Sequence, residues 1–279
     1  MIRALKSFLD DRHRHGLQQL FALSFFIGSR LRNAILVLGF SLAFGGSGDL
    51  DRRSSMISLG LVGLAVLLFL IPAIPGWSGD PDRHELAVLS VPVSIVLLLV
   101  YIGVTVFSLR RHRQQHTSDE SPDMAAWSFT TAMLVLGGAT VITALVAEIL
   151  VGTLEAFAEK AHLSDFFVAA VIVAIVGNAA EHGGAVVVAH RGKIKLAAEI
   201  ALASGAQVAV FLIPAVTLLS WLIEPLPLSF RQVEIAALAG ATAFTALILA
   251  NGRSSRPKGI SLIGAYGLVA LAFLLVGDR

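Results

Sequence analysis

One carboxylate stands where an ionised group is costly unless it is used. The stretch FFVAAVIVAIVGNAAEHGGAVVVAH, residues 166–190, is apolar except for Asn178, Glu181, His182 and the closing His190. Glu181 precedes Arg191 by ten residues, so in a helix rising about 1.5 Å per residue it sits roughly 15 Å inside, the middle of a hydrocarbon layer about 30 Å thick. Holding a carboxylate there costs about 2.5–3.5 kcal/mol on insertion scales unless a cavity, a partner or an ion receives it. Its neighbours suit an ion. Asn178 offers an amide oxygen one turn away, and Gly177, Gly183 and Gly184 permit a kink or a close helix approach. Carboxylate plus amide oxygen is the chemistry of a hard cation such as Ca2+ rather than a soft metal. The adjacent His182 titrates near neutral pH and could exchange protons. The bland alternative is a protonated glutamate bonded to a neighbouring helix.

The elements that must hold these groups are membrane spans. Of 279 residues, 56% are hydrophobic and 14% charged, far below the roughly 25% charge of a soluble domain. The chain is expected to be an all-α integral membrane protein of about eight transmembrane helices, near 18–45, 56–75, 86–109, 126–151, 165–190, 195–222, 231–250 and 258–276. The longest polar interruption, RRHRQQHTSDESPD, marks a linker over 110–124 between a first part, 1–109, of three helices and a second, 125–279, of five. Arg52 and Arg53, then Arg110, Arg111 and Arg113, then Arg191, Lys193 and Lys195, then Arg253, Arg256 and Lys258 follow alternate spans, while the intervening loops hold one basic residue each. That bias puts the linker in the cytoplasm and both termini outside. The N-terminal Arg3, Lys6, Arg12 and Arg14 break the pattern. MIRALKSFLDDRHRHG mixes acidic and basic residues without a cleavage site and does not read as a signal peptide.

A shift of 175 residues lays the first three spans on the last three, with Ser29 on Ser204, Gly39 on Pro214 and Arg32 on Gln207. Three spans per copy invert the second copy in the membrane, the architecture of transporters whose site lies at the repeat interface.

Other classes fall away. There is no cysteine, hence no thiolate site or disulfide; there is no basic stripe for nucleic acid. No HExxH or GxSxG occurs, and His162, His182 and His190 are not spaced to share a zinc ion. An enzyme is not expected, nor a cofactor.

The string Gly177-Asn178-Ala179-Ala180-Glu181-His182, followed by a basic turn and Ala203-Ser204-Gly205-Ala206-Gln207 before Pro214, resembles the second signature repeat of the Ca2+/H+ antiporters of the cation/Ca2+ exchanger superfamily. Upstream, AEILVG with Glu155 and LSDFF at 163–167 resemble the family's approach to that motif. Downstream, NGRS at 251–254 and Tyr266 resemble its last hairpin, and Gly28-Ser29 with NAILVLG at 33–39 resemble the helix after its first signature repeat. The resemblance implies an exchanger fold in which one glutamate from each repeat meets at mid-membrane and binds Ca2+ or protons in turn. Carried over, Glu181 is the ion ligand, Asn178, Ser204 and Gln207 supply neutral oxygens, His182 tunes protonation, and Glu148 lies on the access path. Ca2+ and H+ are then substrates and the bilayer the surroundings, and short loops point to a prokaryotic cytoplasmic membrane.

The pattern is incomplete. Projecting Glu181 back by 175 residues lands on Lys6, so the first-repeat glutamate and the helices before it are missing, and Arg30 and Arg32 in the first span would repel a divalent cation. Three explanations are open: a reading frame started too late, a partner chain that supplies the missing helices, or a truncated or decayed paralogue without transport.

Overall fold

The computed structural model describes residues 28, 32–77, 82–115, 128–177 and 179–276. A π-helical segment, Arg32–Val37, runs into α1 (Leu38–Gly45). After β1 (Gly48–Asp49) come α2 (Arg52–Trp77), α3 (Arg83–Gln115) and α4 (Phe129–Ala161). The motif span comprises α5 (Asp165–Phe167), a π-helical segment Val168–Val173 and α6 (Ala174–Gly177), and, on the far side of Asn178, α7 (Ala179–His190). Then α8 (Ile194–Gln207), a third π-helical segment Val208–Leu212 and α9 (Ile213–Ser220) form one continuous rod. Last come α10 (Gln232–Leu249), β2 (Arg253–Ser254) and α11 (Arg256–Val276).

Among the described residues five helices are long and apolar enough to cross a membrane: Arg52–Trp77, Arg83–Phe107, Ile194–Ser220, Gln232–Leu249 and Arg256–Val276. The other three expected spans coincide with shorter apolar helices, Ile35–Gly45, Phe129–Thr143 and Asp165–Val176, so length and composition alone do not give eight. Two expected boundaries move. α3 continues to Gln115 through the first residues assigned to the linker, because Arg and Gln are good helix formers that solvent tolerates. α4 extends ten residues past 151 until His162 adopts the left-handed conformation, φ 54°, that closes it.

The 175-residue shift recurs in the backbone. The segment 175 residues on from α1 is α9, residue for residue, and the first π-helical segment falls on the third within one residue. Packing obeys the same relation: α1 lies against α11, and its counterpart α9 lies against α3, the counterpart of α11. At the first of these crossings the backbones nearly touch. A Cβ on Gly259 would lie 2.4 Å from the Ala43 nitrogen and 2.6 Å from the Gly39 carbonyl oxygen, which is the role small residues play where lipid offers no hydrophobic drive. Leu38, Leu42, Phe69, Leu97, Phe230 and Leu262 fill the common core.

Each end of the bundle is fastened by loops from the two halves. At one end β1 pairs antiparallel with β2, Gly48 opposite Ser254. The buried Ser254 hydroxyl shares its proton between the Gly46 and Gly48 carbonyls, at 2.8 and 3.1 Å. At the other end the Trp77 indole N–H donates to the Phe230 carbonyl at 2.8 Å, and the Ser90 hydroxyl accepts from the Leu228 N–H at 2.8 Å. Ser254→Ala is expected to cost about 1 kcal/mol, read as a fall of roughly 2–4 °C in Tm in detergent, with no change in secondary structure.

Candidate ion-binding site

The motif helix and its partner form an antiparallel pair. α7 ends at His190, Gly192 turns the chain with φ +79°, a conformation that costs glycine little, and the Lys193 N–H returns to the Val188 carbonyl at 3.2 Å. α8 then runs back along α7. Glu181 precedes His190 by nine residues and Ser204 follows Ile194 by ten, so both stand roughly 14–15 Å from the turn at the helical rise of about 1.5 Å. The hairpin therefore brings Glu181 and Ser204 to one level of the bundle.

A third element joins them. The π-helical segment Arg32–Val37 packs against both α7 and α8. Just before it, Gly28 meets the motif span so closely that a Cβ there would lie 1.7 Å from the Ala170 carbonyl oxygen. The three π-helical segments thus lie beside the polar positions: one after Gly28, one leading into the motif, one directly after Gln207. Such wide turns release backbone carbonyls from their usual partners and concentrate at functional sites.

The individual positions separate as follows. Ser204 is half-buried on α8, and Gln207, the last residue of α8, is exposed into a crevice between α2, α3 and α8. The backbones of Glu181 and His182 lie in α7 and that of Glu148 in α4, while their side chains, with those of Glu155 and Arg32, lie outside the described residues. Asn178, Ser29, Arg30 and Lys6 lie outside them altogether. Among the described residues, no three His, Asp or Glu gather into a metal cluster.

Two features escaped the sequence reading. One is the crevice, about 790 Å³, whose α8 wall is Lys195, Glu199, Ala203 and Gln207; the signal was their helical spacing on one stripe. The other ties the start of α10 to the motif span: the Arg231 guanidinium carbon lies 3.6 Å from the ring centre of buried Phe166, which also meets Phe273 edge-on at 5.0 Å. No pattern in the sequence connects residues so far apart.

The sodium/calcium exchanger protein family matches residues 131–275. The Ca2+/H+ antiporter ChaA of Bacillus subtilis is 33% identical over 263 residues, covering 89% of this chain and 74% of the relative. The chain belongs to the Ca2+/H+ antiporter family. A solved structure, native YfkE, superposes with a TM-score of 0.77 at 30% identity, over 92% of this family member and 76% of that chain. Vacuolar cation/proton exchanger 1c of Oryza sativa is 32% identical over 272 residues, which are 90% of this antiporter-family chain and 60% of the rice protein. The chain thus spans about 60% of the length of the plant vacuolar relatives it matches. The exchanger fold and the integral membrane class expected from the sequence hold.

Proposed function

We propose that this chain carries Ca2+, or a cation of similar hardness, across a membrane in exchange for H+, by alternating access to a site that includes Glu181. One observation supports the reading: in a member of this family, the helix bearing Glu181 pairs with the helix bearing Ser204, and the two residues stand level, at the depth the sequence spacing assigns to the bilayer middle. A carboxylate at that depth is stabilised when a divalent ion or a proton neutralises it, and competition between the two is what couples their flows. Asn178, Ser204 and Gln207 supply neutral oxygens in this reading, His182 sets the proton affinity, and Glu148 stands on the access path. The basic loops lie on the cytoplasmic side of a prokaryotic membrane, and no covalent step is involved.

The test is Ca2+ uptake into everted membrane vesicles under an imposed pH gradient. Uptake that collapses with the gradient is expected. Uptake no greater than in vesicles lacking the chain would overturn the reading.

A further inference from the structure

Ser90 and Ser94 on α3 and Thr217 and Ser220 on α9 place hydroxyls along the crossing of α9 with α3, its main helical neighbour. The pair nearest the Trp77 end of the bundle is occupied. Ser90 donates to the Leu86 carbonyl at 2.7 Å and accepts from the Leu228 N–H, while Ser220 donates to the Thr217 carbonyl at 2.7 Å and accepts from the Leu226 N–H at 2.8 Å. Leu226 and Leu228 belong to one short stretch of chain, so these bonds set the first part of α3 beside the end of α9, and the two helices run antiparallel. Ser94 lies one turn further along α3 and Thr217 one turn back along α9, which brings them to the same level.

Both of these inner residues are fully buried, and neither hydroxyl has a hydrogen-bond partner among the described residues. Each forgoes a bond close at hand. Ser90, Thr242 and Thr245 donate to the carbonyl four residues back at 2.7 Å, whereas Ser94 and Thr217 are turned off their own backbones. Ser94 shares the buried stripe of α3 with Leu86, Ser90, Val93 and Leu97, and Thr217 shares that of α9 with Ile213 and Pro214. The two hydroxyls thus lie level in one interface, outside direct bonding reach of each other. Buried polar groups left dry are costly, and a polar pair too far apart to bond directly is the setting in which water bridges. Two hydroxyls, each able to donate and to accept, supply the two partners a buried water needs. We propose that a single water molecule is bound in the α3–α9 crossing, bridging Ser94 Oγ and Thr217 Oγ1. Ser94 follows Arg83 by eleven residues, about 16 Å of helix, so this water belongs to the packed interior of the bundle and not to its hydrated surface. The site lies outside the α7–α8 motif and does not depend on the transport reading.

Thermal melting of the full chain in detergent, for S94A, T217V and S94A/T217V, tests it. Removing one of the water's two holds leaves the opposite hydroxyl buried without a partner, so each single variant should melt roughly 2–5 °C below the parent. The double variant replaces both groups by apolar ones of similar shape and releases the water, so it should melt no lower than either single variant, a non-additive cycle. Hydroxyls packed dry predict the reverse: each substitution removes an unpaired group, the melting temperature rises, and the two effects add. A structure of the parent that resolves buried waters is the second measurement, which stands even where a variant does not fold; it should show one water about 3 Å from both oxygens. Single effects that add, in either direction or at zero, or a parent structure with no water between the two oxygens, overturn the proposal.

Discussion

Glu181→Gln is expected to reduce gradient-driven Ca2+ uptake to the level of empty vesicles while leaving the protein as stable as the parent or more so. The substitution keeps the size and one oxygen of the side chain and removes the charge. A divalent cation leaving water must be repaid by hard, charged oxygens, and one amide dipole does not replace a carboxylate. The same change abolishes the group that a proton could occupy in alternation. Stability moves the other way, because an ionised group held in the bilayer interior is a net cost of about 2.5–3.5 kcal/mol that the amide does not carry. Uptake and Tm measured on the same preparation therefore separate a lost ligand from a lost fold. Glu181→Gln transporting as well as the parent would remove the carboxylate from the mechanism.

Gly259→Ala is expected to be the most damaging single methyl addition among the described glycines of the α1–α11 crossing. The new Cβ would fall 2.4 Å from the Ala43 nitrogen and 2.9 Å from its Cα. Both are backbone atoms that cannot rotate away, so α1 and α11 must separate, and the packing of Leu38, Leu42 and Leu262 goes with them. Overpacking of this kind costs about 1–3 kcal/mol and more where backbone is struck, which in a chain of this size lowers Tm by roughly 5–10 °C. Gly264→Ala, on the same helix with nothing within 4 Å of its Cβ, is the control and should be neutral or slightly stabilising through helix propensity. Equal melting temperatures for the two variants would show that the crossing is looser than drawn.

Most of this architecture was legible because a membrane span announces itself by composition: the α2, α8–α9, α10 and α11 rods begin and end within a few residues of the apolar blocks. Legibility failed where the polar code is ambiguous. Arg110–Gln115 reads equally as loop or as a solvated helix end, and only the continuous backbone decides for helix. The motif span reads as one helix, and its described residues are helical, but the π-helical segment Val168–Val173 within it has no signature in the sequence pattern. The β1–β2 pairing joins residues some 200 apart through two-residue strands too short to show a pattern. Glu181, Asn178 and His182 are proposed as site residues from depth and residue chemistry. That Ser204 stands level with Glu181 follows only once α7 and α8 are seen to pair. Gln207 opens on the crevice with α2 and α3, a neighbourhood its sequence context does not reveal.

The crosswise seating of α1 on α11 and of α9 on α3 means that neither half of the sequence owns a complete half of the molecule. Each lends a rod to the other, as two clasped hands share fingers. Breaking the chain between the halves would leave the described rods interlocked, and the alternating access of the proposed exchange would then have to flex within the rods rather than slide the two halves past each other as separate blocks.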